Sequence, residues 1–564
     1  MIQIRWLVKE ESVRSFETGL RKARLLSALL LGVTLGCAGV ALGQGVRVNV
    51  QLDQSVNVLS PISVSLPAVM SDGAAFKPDA APYTRLAGAN AIVYPGSPGA
   101  ADLYHWSTNT LTKYAGSNPP YIGPDANFGN FAKNLDKYGT ALLVVNYGAS
   151  LNGTGGGDPG EAAAWVAYAN GDPADTRPIP KDKGGSDWHT VGFWATIRSQ
   201  APLETDDGFN FLRIAHPRPF GIALWQIGDH VYNNGFYGEK HSGEPDLHGP
   251  SPAKANDFGK LEKNPNLSPA FYGARVVDFA RAMKSVDPDI KVGATLALVS
   301  GGPSDSEWGT NSDWGATIWA RDWDDKVLQA GCGSMDFVTL DWQMGPMLPP
   351  DWKTLDEESL FKSTRPTMAS ILSWLVSAYK NDCPAGRLLP IAFSPAGIAP
   401  WPHVEHPVAT TLWVADTYAI LAETGAATVS WYEMHGNSML SNDNKSFGPA
   451  FMGLEMLHIV AHNPGDIFVH TDSDSSTVAA HATRRRDGVV GIMLINEDPK
   501  HAETVTVTVS GGTIGSKGKR LDYGLEQQKA GAPLAQSEIT GLGAKFTVSI
   551  PAYTVTDILI PPAS

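Results

Sequence analysis

Short strand-like apolar runs alternate with longer stretches of helical pattern from about residue 60 to residue 435. This alternation predicts parallel strands joined by helices. There are eight such runs, at residues 62–66, 91–94, 141–146, 221–227, 290–298, 335–342, 388–393 and 427–434. The stretches between them include the predicted helices 161–170, 270–285, 366–379 and 407–424. Eight strand–helix units close a barrel, so the expected fold is an α/β protein with a (β/α)8 TIM barrel.

After about Gly453 the pattern changes to strands without intervening helices, as in an antiparallel β-sandwich. These strands are predicted at residues 467–471, 477–483, 488–496, 504–510, 545–550 and 555–560, and the run 46–52 has the same alternation. With 564 residues the chain is too long for one compact core. We therefore expect a signal peptide over residues 1–43, an N-terminal strand within 44–60 that joins the sandwich, the barrel over 61–452 and the C-terminal β-sandwich over 453–564.

The first residues have the pattern of an export signal. Arg21, Lys22 and Arg24 precede an apolar stretch over residues 25–42, and Ala41 and Gly43 are small residues placed for cleavage. The alternative is a permanent anchor helix, because the run is nearly long enough to span a bilayer. Export with cleavage predicts a secreted or periplasmic protein.

The charge balance indicates a neutral partner. Removal of residues 1–43 takes away six basic and three acidic side chains, which changes the net charge from −14 to −17. Such a charge repels nucleic acids and anionic membranes. No nucleic acid, no membrane in the mature form and no cofactor is expected.

Two cysteines follow the signal region. Cys332 and Cys383 each precede a predicted barrel strand, the sixth and the seventh. Neighbouring strands bring these two loops together at the bottom of the barrel, which favours a disulfide in an oxidising compartment. Two buried free thiols are the alternative.

The active site of such a barrel lies at the C-terminal ends of its strands. Several segments there carry a family resemblance: Tyr94-Pro95-Gly96 through Ala101-Asp102-Leu103-Tyr104-His105-Trp106; Val145-Asn146-Tyr147-Gly148 followed by Glu161-Ala162-Ala163-Ala164-Trp165-Val166; Leu224-Trp225-Gln226-Ile227-Gly228-Asp229-His230 with Gly235-Phe236-Tyr237-Gly238; and Ser430-Trp431-Tyr432-Glu433-Met434-His435-Gly436. Together they resemble the clan-A glycoside hydrolases, especially the bacterial α-L-arabinofuranosidase-like enzymes, over all barrel strands but the first.

The resemblance implies a retaining mechanism with two glutamates about 5 Å apart, and both are substituted here. At the end of the fourth strand the family has an Asn-Glu pair, where this chain has Asp229 and His230. At the end of the seventh strand Pro395 occupies the position of the nucleophilic Glu, after Ser394. No Asp or Glu occurs between Asp382 and Glu405. The family's double displacement is therefore not expected.

Other acids are predicted near the mouth, and they define a first hypothesis. Asp341 ends the sixth strand, Glu433 the eighth and Asp229 the fourth. The tops of alternate strands lie roughly 9 Å apart, within the range of roughly 6.5–9.5 Å that suits an inverting glycosidase. Asp341 and Glu433, or Asp229 and Glu433, with His230 beside them, could therefore catalyse single displacement.

A second hypothesis is a carbohydrate-binding protein that has lost the chemistry. Trp308 and Trp314 follow the fifth strand, and further indoles follow other strands. Each could bury the apolar face of a sugar, although Trp319 and Trp323 are expected to pack against helices. Under either hypothesis, substrate binding is predicted for Asp102, His105, Trp106, Asn146, Tyr147, Trp225, Tyr237, Trp342, Ser394, Trp401, Trp431 and His435.

A third hypothesis is a metal site built from Asp229, His230, Asp341, Glu433 and His435, since mixed imidazole and carboxylate ligands suit Zn²⁺ or Mn²⁺. No short metal motif such as H-E-x-x-H is present, and the expected metal ligand set is none. Asp246 and His248, in the loop after the fourth strand, are additional candidates for contact with substrate.

Overall fold

The computed structural model describes residues 45–77, 79–96, 100–113, 121–181, 185–238, 243–249, 264–297, 318–344, 357–400, 406–436 and 438–563. The segment predicted as a signal peptide lies outside these ranges, as do Trp308, Trp314 and Trp401. Among the described helices, none is both long enough and apolar enough to cross a membrane.

Nineteen strands occur in the described ranges: β1 Val46–Val58, β2 Val64–Pro67, β3 Ala89–Tyr94, β4 Tyr104–His105, β5 Thr110–Leu111, β6 Thr140–Val145, β7 Leu224–Ile227, β8 Lys291–Thr295, β9 Phe337–Met344, β10 Ile391–Pro400, β11 Thr428–Trp431, β12 Ile467–Ser473, β13 Val478–Arg484, β14 Val490–Asn496, β15 Glu503–Ser510, β16 Lys517–Gly524, β17 Ala535–Thr540, β18 Lys545–Ile550 and β19 Thr554–Ile560. The α-helices described are α1 Ala81–Leu86, α2 Phe128–Tyr138, α3 Pro159–Asn170, α4 Val191–Ser199, α5 Pro269–Val286, α6 Ile318–Gly331, α7 Glu357–Asp382, α8 Pro407–Glu423, α9 Pro449–Val460 and α10 Leu525–Ala530.

Eight parallel strands form a closed barrel in the order β2-β3-β6-β7-β8-β9-β10-β11, with β11 paired to β2. This confirms the predicted barrel and its eight strands. Alternate residues of the strands fill its interior, because successive side chains of a strand point to opposite faces. The lower part of this interior is an apolar cluster that includes Ile62, Val93, Leu142, Phe337 and Ala392.

The predicted helices between the strands are confirmed, with one change of length. Helix α7 begins at Glu357, nine residues before the predicted start, and Pro366 lies inside it. Proline usually begins or kinks a helix because it lacks an N–H and its ring clashes with the preceding turn, which is why the pattern pointed to a start at Pro366.

A disulfide joins Cys332 and Cys383, whose Cα atoms are 5.4 Å apart. Cys332 lies between α6 and β9, and Cys383 lies between α7 and β10. The bond therefore links neighbouring strands at the N-terminal end of the barrel, and of the two alternatives drawn from the sequence the disulfide is the one found.

The second domain is a nine-stranded, mostly antiparallel sheet in the order β17-β16-β19-β14-β13-β12-β1-β15-β18. The N-terminal strand β1 joins it as predicted, antiparallel to β12 and parallel to β15. Strands β16 and β17 and the short helix α10 were not predicted. Helix α9 runs continuously through residues 452 and 453, and the next strand of the sheet begins at Ile467.

The sheet packs directly on the barrel helices. Phe468, Met493 and Val555 of the sheet belong to the same apolar core as the outer face of the barrel. At this contact the imidazole of His481 on β13 is fully buried between two carboxylates of α8, Asp416 and Glu423.

Candidate functional site

The upper layer of the barrel interior is polar, unlike the apolar layer below it. Gln226 and Ser394 are buried there, each two residues beyond a member of the apolar cluster. Ser65, Thr339 and Thr428 are also buried in the barrel, but they pair with cluster residues, Ser65 with Ala91 and the two threonines with Ala392. Thr428 donates a hydrogen bond of 3.0 Å to Ser65. Because TIM-barrel enzymes bind substrate at the C-terminal ends of their strands, this layer forms the floor of the candidate site.

The end of the fourth barrel strand, β7, has an unusual backbone. Gly228 and His230 have φ angles of 68° and 41°. A Cβ atom at Gly228 would lie 2.5 Å from Val231 and 2.9 Å from Tyr147, so glycine is required for close packing as well as for its φ. His230 is not a glycine, and a non-glycine residue in the left-handed region is uncommon. Such strained residues cluster at functional sites.

Asp229 and His230 form a close pair. The Nδ1 atom of His230 lies 2.9 Å from Oδ1 of Asp229, but the two atoms are not aligned as a hydrogen bond. Asp229 is fully buried, and neither of its carboxylate oxygens accepts a hydrogen bond from the described residues. The side chain of His230 is 13% exposed. Asp229 therefore supports the imidazole from below and cannot itself contact substrate in this conformation, contrary to its predicted place at the surface of the mouth.

Asp102 holds two strand ends together. Its Oδ1 accepts a hydrogen bond of 2.9 Å from the N–H of Tyr147, after β6, and its Oδ2 accepts one of 2.8 Å from the N–H of Asp229, after β7. The residue is fully buried. The predicted contact between Asp102 and sugar is therefore replaced by a structural role beneath the site.

Glu244 was not predicted. It lies in the loop after β7, is 4% exposed, and its side chain hydrogen-bonds that of Asp102. Burial raises the pKa of Glu244 well above its usual range, and the nearby charges of Asp102 and Asp229 raise it further. The only sequence signal was its proximity to Asp246 and His248, because the loop has no periodic pattern.

Asp246 and His248 organise the same loop. Asp246 accepts hydrogen bonds from Asn234 at 3.0 Å and from the backbone N–H of His248, and its Oδ1 lies 2.8 Å from Nδ1 of that ring. The His248 ring packs on Tyr147, with 4.4 Å between the ring centroids. Tyr147, a predicted binding residue, is itself only 1% exposed. These contacts fix the loop against the third strand.

The eighth barrel strand, β11, presents an accessible carboxylate. Glu433 is half-buried and accepts a hydrogen bond of 3.0 Å from Ser438. Tyr432, another residue that was not predicted, is 36% exposed and precedes Glu433; burial and the neighbouring carboxylate raise its pKa to about 12. A Cβ atom at Gly436 would lie 2.2 Å from Oε1 of Glu433, so the carboxylate folds over a glycine.

The sixth and seventh barrel strands meet in a bulge. On β9 one residue, Asp341, separates Leu340 from Trp342, whereas on β10 four residues separate Phe393 from Ile398. Bulges often re-aim side chains beside active sites. Ser394 begins this bulge and is 1% exposed. The side chains of Asp341, Trp342 and Pro395 lie outside the described part of the chain.

Three predicted sugar-binding indoles are core residues. Trp106 and Trp431 are 1% and 0% exposed, and Trp225 is fully buried. Trp106 stacks on Trp165, and the indole of Trp225 packs edge-on against the same ring. Because all three rings are buried, they offer no platform for a sugar, and the prediction that they bind substrate is corrected.

Three other predicted residues have polar partners within the fold. His105 lies 3.0 Å from Glu161 and 2.6 Å from Thr112 through its two ring nitrogens. Asn146 bonds the backbone of Tyr104 and Ala149. Both ring nitrogens of His435 are engaged, at 2.6 Å by Asp72 and 2.8 Å by Asn444. Burial lowers the pKa of His435, but the bonds to Asp72 and Asn444 and the charges of Asp72 and Asp79 together outweigh it, and the net direction is upward.

Tyr237 remains accessible at the side of the mouth. Its ring is half-buried against the indole of Trp319, with 5.5 Å between centroids, and its hydroxyl donates to Asp322 at 2.7 Å. The described residues contain no group of three or more His, Cys, Asp or Glu side chains placed to hold a metal ion.

No family model and no curated protein matches this chain. Solved structures do match. An α-L-arabinofuranosidase from Thermotoga maritima, in complex with arabinose, superposes with a TM-score of 0.61 and 15% identity over 91% of this chain and 99% of that one. A xyloglucanase of glycoside hydrolase family 44 from Paenibacillus polymyxa gives a TM-score of 0.57 and 14% identity, over 92% and 99%.

A bifunctional glucanase-xylanase from a metagenome library is similar to the same degree, with a TM-score of 0.57, 13% identity, and coverage of 92% of this chain and 99% of that one. These matches extend over both domains, but their identities are too low to transfer an activity. The chain therefore has the two-domain fold of these glycoside hydrolases, a TIM barrel with an attached β-sandwich.

Proposed function

We propose that this protein is an exported glycoside hydrolase that binds a neutral poly- or oligosaccharide at the barrel mouth and cleaves it by single displacement. One observation carries the proposal: a half-buried carboxylate, Glu433, closely follows the C-terminal end of one barrel strand, and a partly exposed imidazole, His230, closely follows that of another. The shared fold adds support, since the compared structures act on polysaccharides or contain arabinose.

In this reaction a base takes a proton from water while the water oxygen attacks the anomeric carbon, and an acid protonates the leaving oxygen as the C–O bond breaks. Glu433 is the proposed base, held by the hydroxyl of Ser438. Protonated His230 is the proposed acid, and the Asp229 carboxylate beside its Nδ1 compensates the charge of the imidazolium. Solvent returns both groups to their starting states.

Asp341 is the competing base, because it lies within β9, the sixth strand, opposite the bulge of β10. Substitution separates the two candidates. With Glu433 as base, Glu433→Gln abolishes turnover and Asp341→Asn weakens substrate binding while product still forms. The reverse pattern would assign the base to Asp341.

A second candidate is a carbohydrate-binding protein without catalysis. It is favoured by the complete burial of Asp229 and Asp102, which removes two of the acids closest to His230 from contact with substrate. Purified protein incubated with arabinan, xylan, glucan and galactan oligosaccharides distinguishes the candidates. Affinity with released product supports hydrolysis, affinity without product supports the binder, and no affinity for any of them contradicts both.

His230→Asn tests the acid. We expect a fall in turnover of about 100-fold with little change in oligosaccharide affinity, because general acid catalysis contributes on this scale. Product should be quantified by chromatography. An unchanged rate would remove His230 from the mechanism.

A further inference from the structure

Glu244 and Asp102 are two buried acids in direct contact. Glu244 is 4% exposed and Asp102 is fully buried, and their side chains hydrogen-bond each other. Two carboxylates cannot form such a bond unless one of them carries a proton, because an ionised carboxylate only accepts. The pair therefore holds a proton inside the mouth of the barrel.

The partners of the two groups indicate which one holds it. Burial raises the pKa of both acids, but Asp102 also accepts hydrogen bonds from two backbone N–H groups, those of Tyr147 and Asp229, which act against this rise and stabilise its ionised form. Glu244 has no comparable support, since its Oε1 accepts no hydrogen bond from the described residues. The proton accordingly belongs to Glu244, which donates to Asp102.

We propose that Glu244 is a positioning residue that acts in its neutral form: it donates to Asp102, which in turn ties together the ends of β6 and β7 and holds the backbone that presents His230. This inference rests on the proposed function for its kinetic consequences. The link to His230 is short, because Asp102 accepts a hydrogen bond from the N–H of Asp229, and Asp229 immediately precedes His230.

The surrounding charges agree with a neutral Glu244. Asp229, with Asp102, contributes negative charge that opposes ionisation of Glu244, and His230 is the nearby cation that opposes them. Asp246 of the same loop adds negative charge next to Asp102. Arg275 on α5 is a cation near Tyr147. A second ionised carboxylate would therefore be buried among acids with one imidazole to compensate it.

The titration of His230 tests this arrangement without relying on turnover. Protein labelled with ¹³C at the histidine Cε1 position allows the ring to be followed by NMR against pH, with His230→Asn to assign the signal. Glu244→Gln keeps a neutral donor and should leave the His230 titration where it is in the parent protein. If Glu244 were ionised, the same change would remove a negative charge and shift the titration downward by about one pH unit or more.

Glu244→Leu removes the donor and should displace the strand end. We expect kcat to fall by about 100-fold with a smaller change in KM, a shifted His230 titration, and recovery of both towards the parent values in Glu244→Gln. Glu455→Gln is the control, because Glu455 is a half-buried acid on α9 outside the mouth.

Three results would overturn the inference: a shifted His230 titration in Glu244→Gln, an unshifted one in Glu244→Leu, or a Glu244→Leu protein that loses only thermal stability. Failure of the proposed function is separate, since it would appear as absence of product in the parent protein while the NMR comparison still gives its answer. Circular dichroism of each variant establishes that it is folded.

Discussion

Two buried histidine–carboxylate clusters in this protein are built from the same residue types and differ in how their polar atoms are satisfied. At the contact between barrel and sandwich, His481 lies 2.6 Å from Glu423 and 2.8 Å from Asp416, with both ring nitrogens engaged. At the barrel mouth, both oxygens of Asp229 and one of Glu244 lack a hydrogen-bond donor among the described residues.

The difference separates a structural cluster from the cluster of the proposed active site. Unsatisfied buried polar groups are costly and rare in native proteins, and strained backbone is retained mainly where function requires it. The mouth has both features: the unsatisfied oxygens of Asp229 and Glu244, and the strained backbone of His230 with its φ of 41°. His481, Asp416 and Glu423 show neither feature, and their charges form a network with Arg365, 3.8 Å from Asp416 and 3.7 Å from Glu423.

The largest effect is expected from Glu433→Gln at the mouth. Turnover should fall by about 1,000-fold, because a general base contributes on this scale, whereas the free energy of unfolding should change little for a half-buried side chain. Product formation and denaturant unfolding measure the two quantities. Asp443→Asn is the matched control, an exposed acid ten residues further along that should leave both unchanged.

If Glu433→Gln destabilised the fold and kept its turnover, Glu433 would have a structural role like that of the His481 cluster. The proposed difference between the mouth and the interface would then be wrong. Equal loss of turnover in Asp443→Asn would point to a general charge effect on a substrate approaching the protein.

The opposite behaviour is expected from His481→Gln. Removing the imidazole leaves two buried carboxylates without their shared partner, which should lower the free energy of unfolding by about 3 kcal/mol. Turnover per folded molecule should stay the same, because the cluster lies at the sandwich. Urea unfolding followed by tryptophan fluorescence gives the stability, and a drop in turnover with unchanged stability would contradict this assignment.

The interface should also weaken at high pH. Burial lowers the pKa of His481, but Glu423 and Asp416 outweigh it and raise the pKa from 6.5 to about 9. A raised histidine pKa contributes stability that is complete below pH 6.5 and is lost as the pH rises through about 9. The free energy of unfolding should fall by about 2 kcal/mol between about pH 7 and about pH 9.

The fall in the free energy of unfolding at high pH should be smaller in His481→Gln. An equal fall in that variant would mean that groups other than His481 cause it. Glu497, which lies beside this network, acts in the same direction. Its own burial, with the charge of Asp416, raises its pKa, so the folded protein again loses a stabilising proton as the pH increases.

A smaller effect at the mouth is expected from Gly436→Ala. The added methyl group would overlap the Glu433 carboxylate, which can swing aside because it is the end of a flexible side chain. We expect a loss of turnover of about tenfold from this misplacement and some loss of stability, because alanine rarely adopts the φ of 158° found at Gly436. Gly543→Ala is the control, since a Cβ there meets no atom within 4 Å; similar rates in both variants would mean that the position of Glu433 does not matter.

The sequence was sufficient for the barrel, because each barrel strand is an apolar run and buried strands are recognisable by that property. It was not sufficient for β16 and β17. Strand β17 has the sequence Ala-Gln-Ser-Glu-Ile-Thr and is almost entirely exposed, so it lacks the alternation that marks a half-buried strand. Its pairing with β16 could be learned only from the folded sheet.

The candidate site was predicted in position better than in detail. His230 and Glu433 emerged from the strand ends, but Asp229 was expected to face the mouth and is buried beneath it. Strand alternation stops at Gly228, whose positive φ redirects the chain, and a pattern read from sequence cannot follow that turn. Trp106 and Trp225 were misjudged for a related reason, since an indole near a strand end can equally well be enclosed by helices.

The anomeric configuration of the first product tests the central claim most directly. A reactive oligosaccharide from the panel, hydrolysed inside an NMR tube, reveals the anomer before mutarotation. Single displacement through Glu433 and His230 predicts a product whose configuration is inverted relative to the glycosidic bond. A product of retained configuration would contradict the account, because it would require a nucleophile where this chain has Ser394 and Pro395.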